Sequence, residues 1–345
     1  MSTNSAVPAA AILGCAGTSL TDEERRLFER LDPLGFILFA RNIVDPAQVA
    51  ALVAELRATV GRADAPVLID QEGGRVQRLK PPHWRKAPPG EPFARLAARD
   101  TAAAVDALRL NYRLIGRELA ALGIDVDCAP VLDVPVPGAH DVIGDRAFGL
   151  DPATVATLGR AVMDGLLDEG VLPIVKHIPG HGRSMVDSHH DLPVVEASRA
   201  ELESQDFPPF RALADAPWAM TAHVVYKAID STAPATTSAK VIGEVIRGLI
   251  GFQGVLISDD LSMKALGGGF GDRTQAALDA GCDVVLHCNG DMAEMWAIAG
   301  AMRPLSEIAQ ERLAKAAAAR RRPGALDVAA ATAAVERALG DAWAI

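Results

Sequence analysis

AAILGCAGTSL, residues 10–20, decides between two ways of building an α/β protein. An apolar run of strand length leads into a short glycine-containing turn, the place where a dinucleotide-binding open sheet carries GxGxxG. LGCAGTSL lacks that spacing, so the first strand carries no phosphate-binding turn of a doubly wound sheet. Seven runs of the same kind follow: GFILFA (35–40), PVLID (66–70), DVDCAP (125–130), PIVKH (173–177), AMTAHVV (219–225), GVLISD (254–259) and DVVLHC (283–288). Longer alanine-rich amphipathic segments separate them. Their starts are marked: Thr21 with Glu24 and Ser198 with Glu201 form capping boxes, while Asp45–Pro46 and Asp151–Pro152 set a capping aspartate before proline at the first helical position. Eight βα repeats predict a (β/α)8 TIM barrel of the α/β class. The expected organisation is a single domain over residues 1–345, with a helical appendage over 324–345 whose helix runs from 326 to 339.

Composition narrows the partners. Half of the 345 residues are apolar and 4% are aromatic, enough for a large aliphatic core. A formal charge of −10, with no basic block beyond Arg320–Arg322, argues against nucleic acid and against an anionic membrane surface. Cys15, Cys128, Cys282 and Cys288 show no CxxC spacing and suit a reducing compartment as buried thiols. Ile12-Leu13-Gly14-Cys15 resembles a lipoprotein cleavage site, but no lysine or arginine precedes Arg25, so the basic start of an export signal is missing. No stretch approaches the ~20 uninterrupted apolar residues of a membrane span. A soluble, cytoplasmic protein is expected.

Two connections are long: residues 71–100, rich in proline and glycine, and residues 178–197. Both follow strands, on the face where a barrel builds its active site. KHIPGHGRSMVDSHHD (176–191) holds four of the eight histidines of the chain. Strand ends supply Asp70, Lys176, His177, His223, Asp259 and Asp260. A lone aspartate after a strand is often only a helix cap, but this many polar strand ends predict a shared pocket for a hydroxyl-rich ligand. The shortage of aromatics disfavours a long carbohydrate groove, leaving a short sugar unit held by charged hydrogen bonds.

IDQEGGRVQR (69–78), VIGDRAFG (142–149), KHIPGHG with VDSHHDLP (176–193), TAHV (221–224) and GVLISDDLSM (254–263) occur in an order that resembles glycoside hydrolase family 3, in particular its bacterial β-N-acetylglucosaminidases. The resemblance runs from GFILFARN (35–42) to AGCDVVL (280–286). One departure is Ile178, where the family usually has phenylalanine. The resemblance implies a barrel that removes terminal N-acetylglucosamine (GlcNAc) from cell-wall muropeptides such as GlcNAc–1,6-anhydroMurNAc, during peptidoglycan recycling in the cytoplasm. It implies a monomer acting on a small-molecule substrate, with no cofactor.

By that resemblance Asp259 is the nucleophile. A retaining glycosidase needs an ionised carboxylate beneath the anomeric carbon, forming a glycosyl-enzyme that water then opens from the same face. Strand parity leaves Asp259 and Asp260 unseparated, and Asp260 is read as a cap for the following segment. Residues 178–195 of the long loop after the fifth strand hold no glutamate, and the family there uses a histidine–aspartate dyad, here His189 with Asp187. An imidazole titrating near ~6.5 can give a proton to the leaving oxygen and later take one from water. Lys176 and His177 would hold sugar hydroxyls, joined by Asp70, Arg78 and Arg146, with His223 counted among the substrate-binding residues. His181 is read as stabilising the turn in PGHG and His190 as solvated.

Three rivals remain. His177, His181, His189 and Asp187 could ligate zinc, but their spacing fits no HExxH-type pattern and no metal is expected. A β-N-acetylglucosaminide phosphorylase could use the same residues, since a neutral histidine does not repel phosphate. A non-catalytic sugar-binding protein would lack the nucleophile or the dyad, and both are present.

Overall fold

The computed structural model describes residues 7–185, 192–340 and 343. Eight parallel strands close into a barrel: β1 (Ala9–Gly14), β2 (Pro33–Leu38), β3 (Val67–Ile69), β4 (Val126–Asp127), β5 (Leu172–Ile178), β6 (Trp218–Thr221), β7 (Val255–Asp260) and β8 (Val284–His287). Each pairs with its neighbours in sequence, and β8 pairs back onto β1 through Ala11–Val285 to Leu13–His287. All eight expected runs are therefore barrel strands. Parallel strands covered on both faces have no solvent side, which is why they read as continuous apolar runs rather than alternating ones; β1 and β2 are buried throughout.

The helix starts form as their chemistry dictates. The Thr21–Glu24 and Ser198–Glu201 capping boxes are both made. Asp45 and Asp151 each accept a backbone N–H three residues on, ahead of Pro46 and Pro152. The last helix, Val328–Leu339, packs on Thr101–Ala121 and buries Ala331, Val335 and Leu339. All four cysteines are unpaired and buried.

The long connections carry structure that periodicity did not reveal. Residues 71–77 form a tight hairpin, Gln71–Gly73 against Val76–Gln77, followed by a helix at Gly90–Ala97. Within the second connection, Val194–Val195 pairs with Val225–Tyr226 beyond β6. Two strand ends are irregular: the β5–β6 register shifts between Lys176 and Ile178, and the β7–β8 register shifts between Ile257 and Asp260. Such irregularities re-aim side chains next to active sites.

Candidate active site

A cavity of about 160 Å³ opens at the C-terminal ends of the barrel strands. Asp70, Arg78, Arg146, Lys176, His177 and Asp259 all line it, so six of the nine residues expected from the sequence converge on one space. The register shift after Lys176 lets two consecutive residues, Lys176 and His177, face the same cavity, and the shift in β7 does the same for Asp259 and Asp260. Asp187 and His189 lie outside the described residues, as does His190.

One wall is a chain of alternating charge. Arg78 Nη2 donates to Asp70 Oδ2 at 3.1 Å, and Lys176 Nζ donates to Asp70 Oδ1 at 2.9 Å. Lys176 Nζ also lies 2.6 Å from Glu72 Oε1, and Glu72 takes Arg146 Nε and Nη2 in a bidentate pair at 2.8 Å each. Burial alone would raise the carboxyl of Glu72, but Arg146 and Lys176 outweigh it and hold it at about 2. Asp70 is likewise held below its ordinary value against burial by Lys176 and Arg78. Burial would lower Lys176, yet Asp70 and Glu72 carry it above the usual lysine range, so the ammonium stays charged at 2% exposure. Lys176 spends two of its three hydrogens on this chain.

Opposite it, the fully buried Asp133 organises two histidines. Its carboxylate accepts from the His177 ring at Nδ1 (2.7 Å) and from the backbone N–H groups of His177 (3.2 Å) and His181 (2.6 Å). Burial would raise Asp133, and His177 brings it down to about 2. Nδ1 of His177 is thereby committed to Asp133. His181 does more than hold a turn: its ring stands 5.6 Å from that of His177 and lines the cavity. Burial, then the charge on His177, push His181 down to about 4.

At the end of β7, Asp260 is a cap. Its carboxylate accepts from the N–H of Ser262 (3.0 Å) and of Cys288 (3.1 Å) and from Ser262 Oγ (2.5 Å). Asp259 Oδ1 accepts the adjacent Asp260 N–H at 2.8 Å, and the side chain lines the cavity. His223 stands apart from the other expected residues. It is fully buried, it is absent from the cavity wall among the described residues, and both ring nitrogens are engaged inside the protein, Nδ1 with Thr236 Oγ1 and Nε2 with the Asp260 carbonyl.

Residues 12–321 match the glycosyl hydrolase family 3 N-terminal domain. The chain belongs to glycoside hydrolase family 3. It is 43% identical over 286 residues to the beta-hexosaminidase of Thiobacillus denitrificans, which covers 81% of this chain and 77% of that protein. It is 44% identical over 282 residues to the beta-hexosaminidase of Alkalilimnicola ehrlichii, covering 81% and 80%. Among solved structures, NagZ from Neisseria gonorrhoeae in complex with N-trifluoroacetyl-D-glucosamine is similar with a TM-score of 0.87 at 33% identity, covering 97% of this chain and 99% of that one.

In this family 3 glycoside hydrolase, Glu72 and Asp133 lie behind the cavity lining and hold Arg146, Lys176 and His177, and neither was singled out in the sequence; His181, expected only to hold a turn, lines the cavity. Glu72 stood inside the IDQEGGRVQR motif, so its signal was a buried acid beside a motif aspartate. Asp133 had none, because its partners are 44 and 48 positions away.

Proposed function

We propose that this glycoside hydrolase is a retaining exo-β-N-acetylglucosaminidase that removes terminal GlcNAc from peptidoglycan-derived muropeptides such as GlcNAc–1,6-anhydroMurNAc. The convergence of Asp259 with five polar partners on one cavity of about 160 Å³ carries the assignment. That space is well under the ~300–1,000 Å³ of sites enclosing drug-sized ligands and suits one sugar unit. The similarity to beta-hexosaminidases and to a NagZ that binds an N-acylated glucosamine supports the choice of sugar.

In this reading Asp259 attacks the anomeric carbon while His189, oriented by Asp187, protonates the departing oxygen. The neutral imidazole then takes a proton from the water that opens the glycosyl-enzyme. Lys176, Arg146, Arg78, Asp70 and His177 hold the sugar hydroxyls in place, so the chain of ion pairs serves as a pre-set frame that does not reorganise on binding. The barrel and its C-terminal helical appendage act as one catalytic domain, a cytoplasmic monomer on a small-molecule substrate without nucleic-acid or membrane partners. A charge of −10 disfavours nucleic acid and anionic membrane surfaces as partners, and among the described residues no helix is long and apolar enough to cross a membrane.

The test is trapping with a 5-fluoro GlcNAc donor followed by peptide mapping. A label on Asp259 is expected; a label elsewhere, or none with turnover intact, overturns the nucleophile. Turnover in phosphate buffer should release GlcNAc, and GlcNAc-1-phosphate as the main product would make the enzyme a phosphorylase.

A further inference from the structure

The stretch of β7 that carries Asp259 is where the ladder to β8 loses register, so strand pairing alone does not fix it. A relay of hydrogen bonds holds it instead. The Asp259 N–H donates to Thr221 Oγ1 at 3.3 Å, Thr221 Oγ1 and Thr236 Oγ1 are 2.8 Å apart, Thr236 Oγ1 is 2.7 Å from His223 Nδ1, and His223 Nε2 is 2.9 Å from the Asp260 carbonyl oxygen. The relay starts on one side of residues 259 and 260 and returns on the other.

Atom types fix its two ends. A peptide N–H only donates and a carbonyl only accepts, so Nε2 carries a hydrogen. Two states of the ring remain. If Thr236 donates to Nδ1, each hydroxyl gives once in a single direction and the ring is neutral. If Thr236 gives its hydrogen to the Ala222 carbonyl at 3.2 Å or to Thr221 Oγ1, Nδ1 needs a hydrogen too and the ring is an imidazolium. The contact to Nδ1 is the shorter by half an ångström, at 2.7 Å against 3.2 Å. Complete burial also lowers the basicity of His223, against the pull of Asp259 and Asp260. The neutral state wins.

We propose that His223, as the neutral tautomer with hydrogen on Nε2, is a positioning residue that aims the Asp259 carboxylate at the cavity through Thr236 and Thr221 without touching the substrate. The inference rests on Asp259 being the nucleophile. Thr236→Val cuts the relay at its centre and should lower kcat for glycosylation by ~10–100-fold, with KM within ~3-fold, because displacing a reacting group costs rate rather than affinity. Thr236→Ser, which keeps the hydroxyl, should restore most of the rate.

A second comparison separates aiming from general damage. In Asp259→Gly, azide can replace the carboxylate: it bonds to the anomeric carbon as the aryloxide of an activated aryl glycoside leaves with the electron pair, giving the glycosyl azide. There Thr236→Val should change the azide-dependent rate by less than ~2-fold, since no side chain remains to aim. An equal loss in both backgrounds overturns the proposal, as does full kcat in Thr236→Val. Nitrogen NMR of the unmodified enzyme should show one bare and one protonated nitrogen on His223; two protonated nitrogens also overturn it, whether or not the variants fold. Wild-type turnover in Asp259→Gly without azide is a different result, and it would remove the nucleophile itself.

Discussion

In the proposed mechanism Asp259 and His189 divide the chemistry between them, and their replacements should fail in different ways. Asp259→Ala should lower kcat by roughly 10⁴-fold or more while GlcNAc binding by calorimetry persists. His189→Ala should slow substrates with poor leaving groups by ~10²–10⁴-fold and activated aryl glycosides far less, because only the former need a proton. Equal losses on both classes would argue against an acid. Glu72→Gln leaves Arg146 and Lys176 facing a neutral amide; a stability loss of ~3–5 kcal/mol is expected by urea titration, together with a raised KM. Lys176, His177 and Asp70 were legible because they end strands or stand in a motif. Asp133 was not, since its partners His177 and His181 are 44 and 48 positions away, and Glu72, though inside a motif, answers to Arg146, 74 positions away.

At the level of elements, period and capping chemistry located all eight strands, whereas the irregular ends of β5 and β7 were invisible. Register belongs to a pair of strands, and a single sequence displays only one member of the pair. The hairpin of residues 71–77 was hidden for a related reason, being too short to show alternation. It nevertheless supports the cavity wall. Glu72 projects from one arm to Arg146, while Arg75 at the turn pairs with Asp145 at 2.9 Å and donates to the carbonyls of Asp141, Val142 and Ile143, seating the loop that supplies Arg146. Gly73 permits this fold-back: its φ is +95°, and an added Cβ would stand 2.2 Å from the Pro88 carbonyl oxygen. Gly73→Ala should therefore raise KM by about tenfold and lower the melting temperature, since strain at such a position and displacement of the loop act together. Unchanged KM would detach the hairpin from substrate binding.

Across the whole molecule, two sets of buried groups should give up stability in acid, while Asp206, raised by burial to about 6, gains it over part of the same range. His181 falls from 6.5 to about 4 on folding, so as pH drops the unfolded chain takes up its proton first. Stability from this group is complete above pH 6.5 and is lost between 6.5 and about 4, a change of order ~3 kcal/mol. Glu72 and Asp133 are depressed on folding, from 4.5 and 3.8 respectively to about 2, so their contributions are present above those ordinary values and fade as pH falls towards 2. Urea denaturation at a series of pH values should show both losses, and His181→Gln should remove only the upper one. Because Asp206 offsets His181 over this range, the comparison that decides is between the two proteins: identical slopes from pH 6.5 to 4 in the unmodified enzyme and in His181→Gln would contradict the buried neutral imidazole.

The linked pairs Arg78–Asp70–Lys176–Glu72–Arg146 also constrain how this lineage can change. Replacing Glu72, Lys176 or Arg146 alone leaves a buried charge short of a partner, so drift at these positions must cross a poorly folded ancestor or proceed by simultaneous exchange. Homologues should accordingly keep Glu72 and Arg146 together or lose them together. A library randomising either codon alone should return little but the parent, while one randomising both at once should recover new, mutually matched solutions.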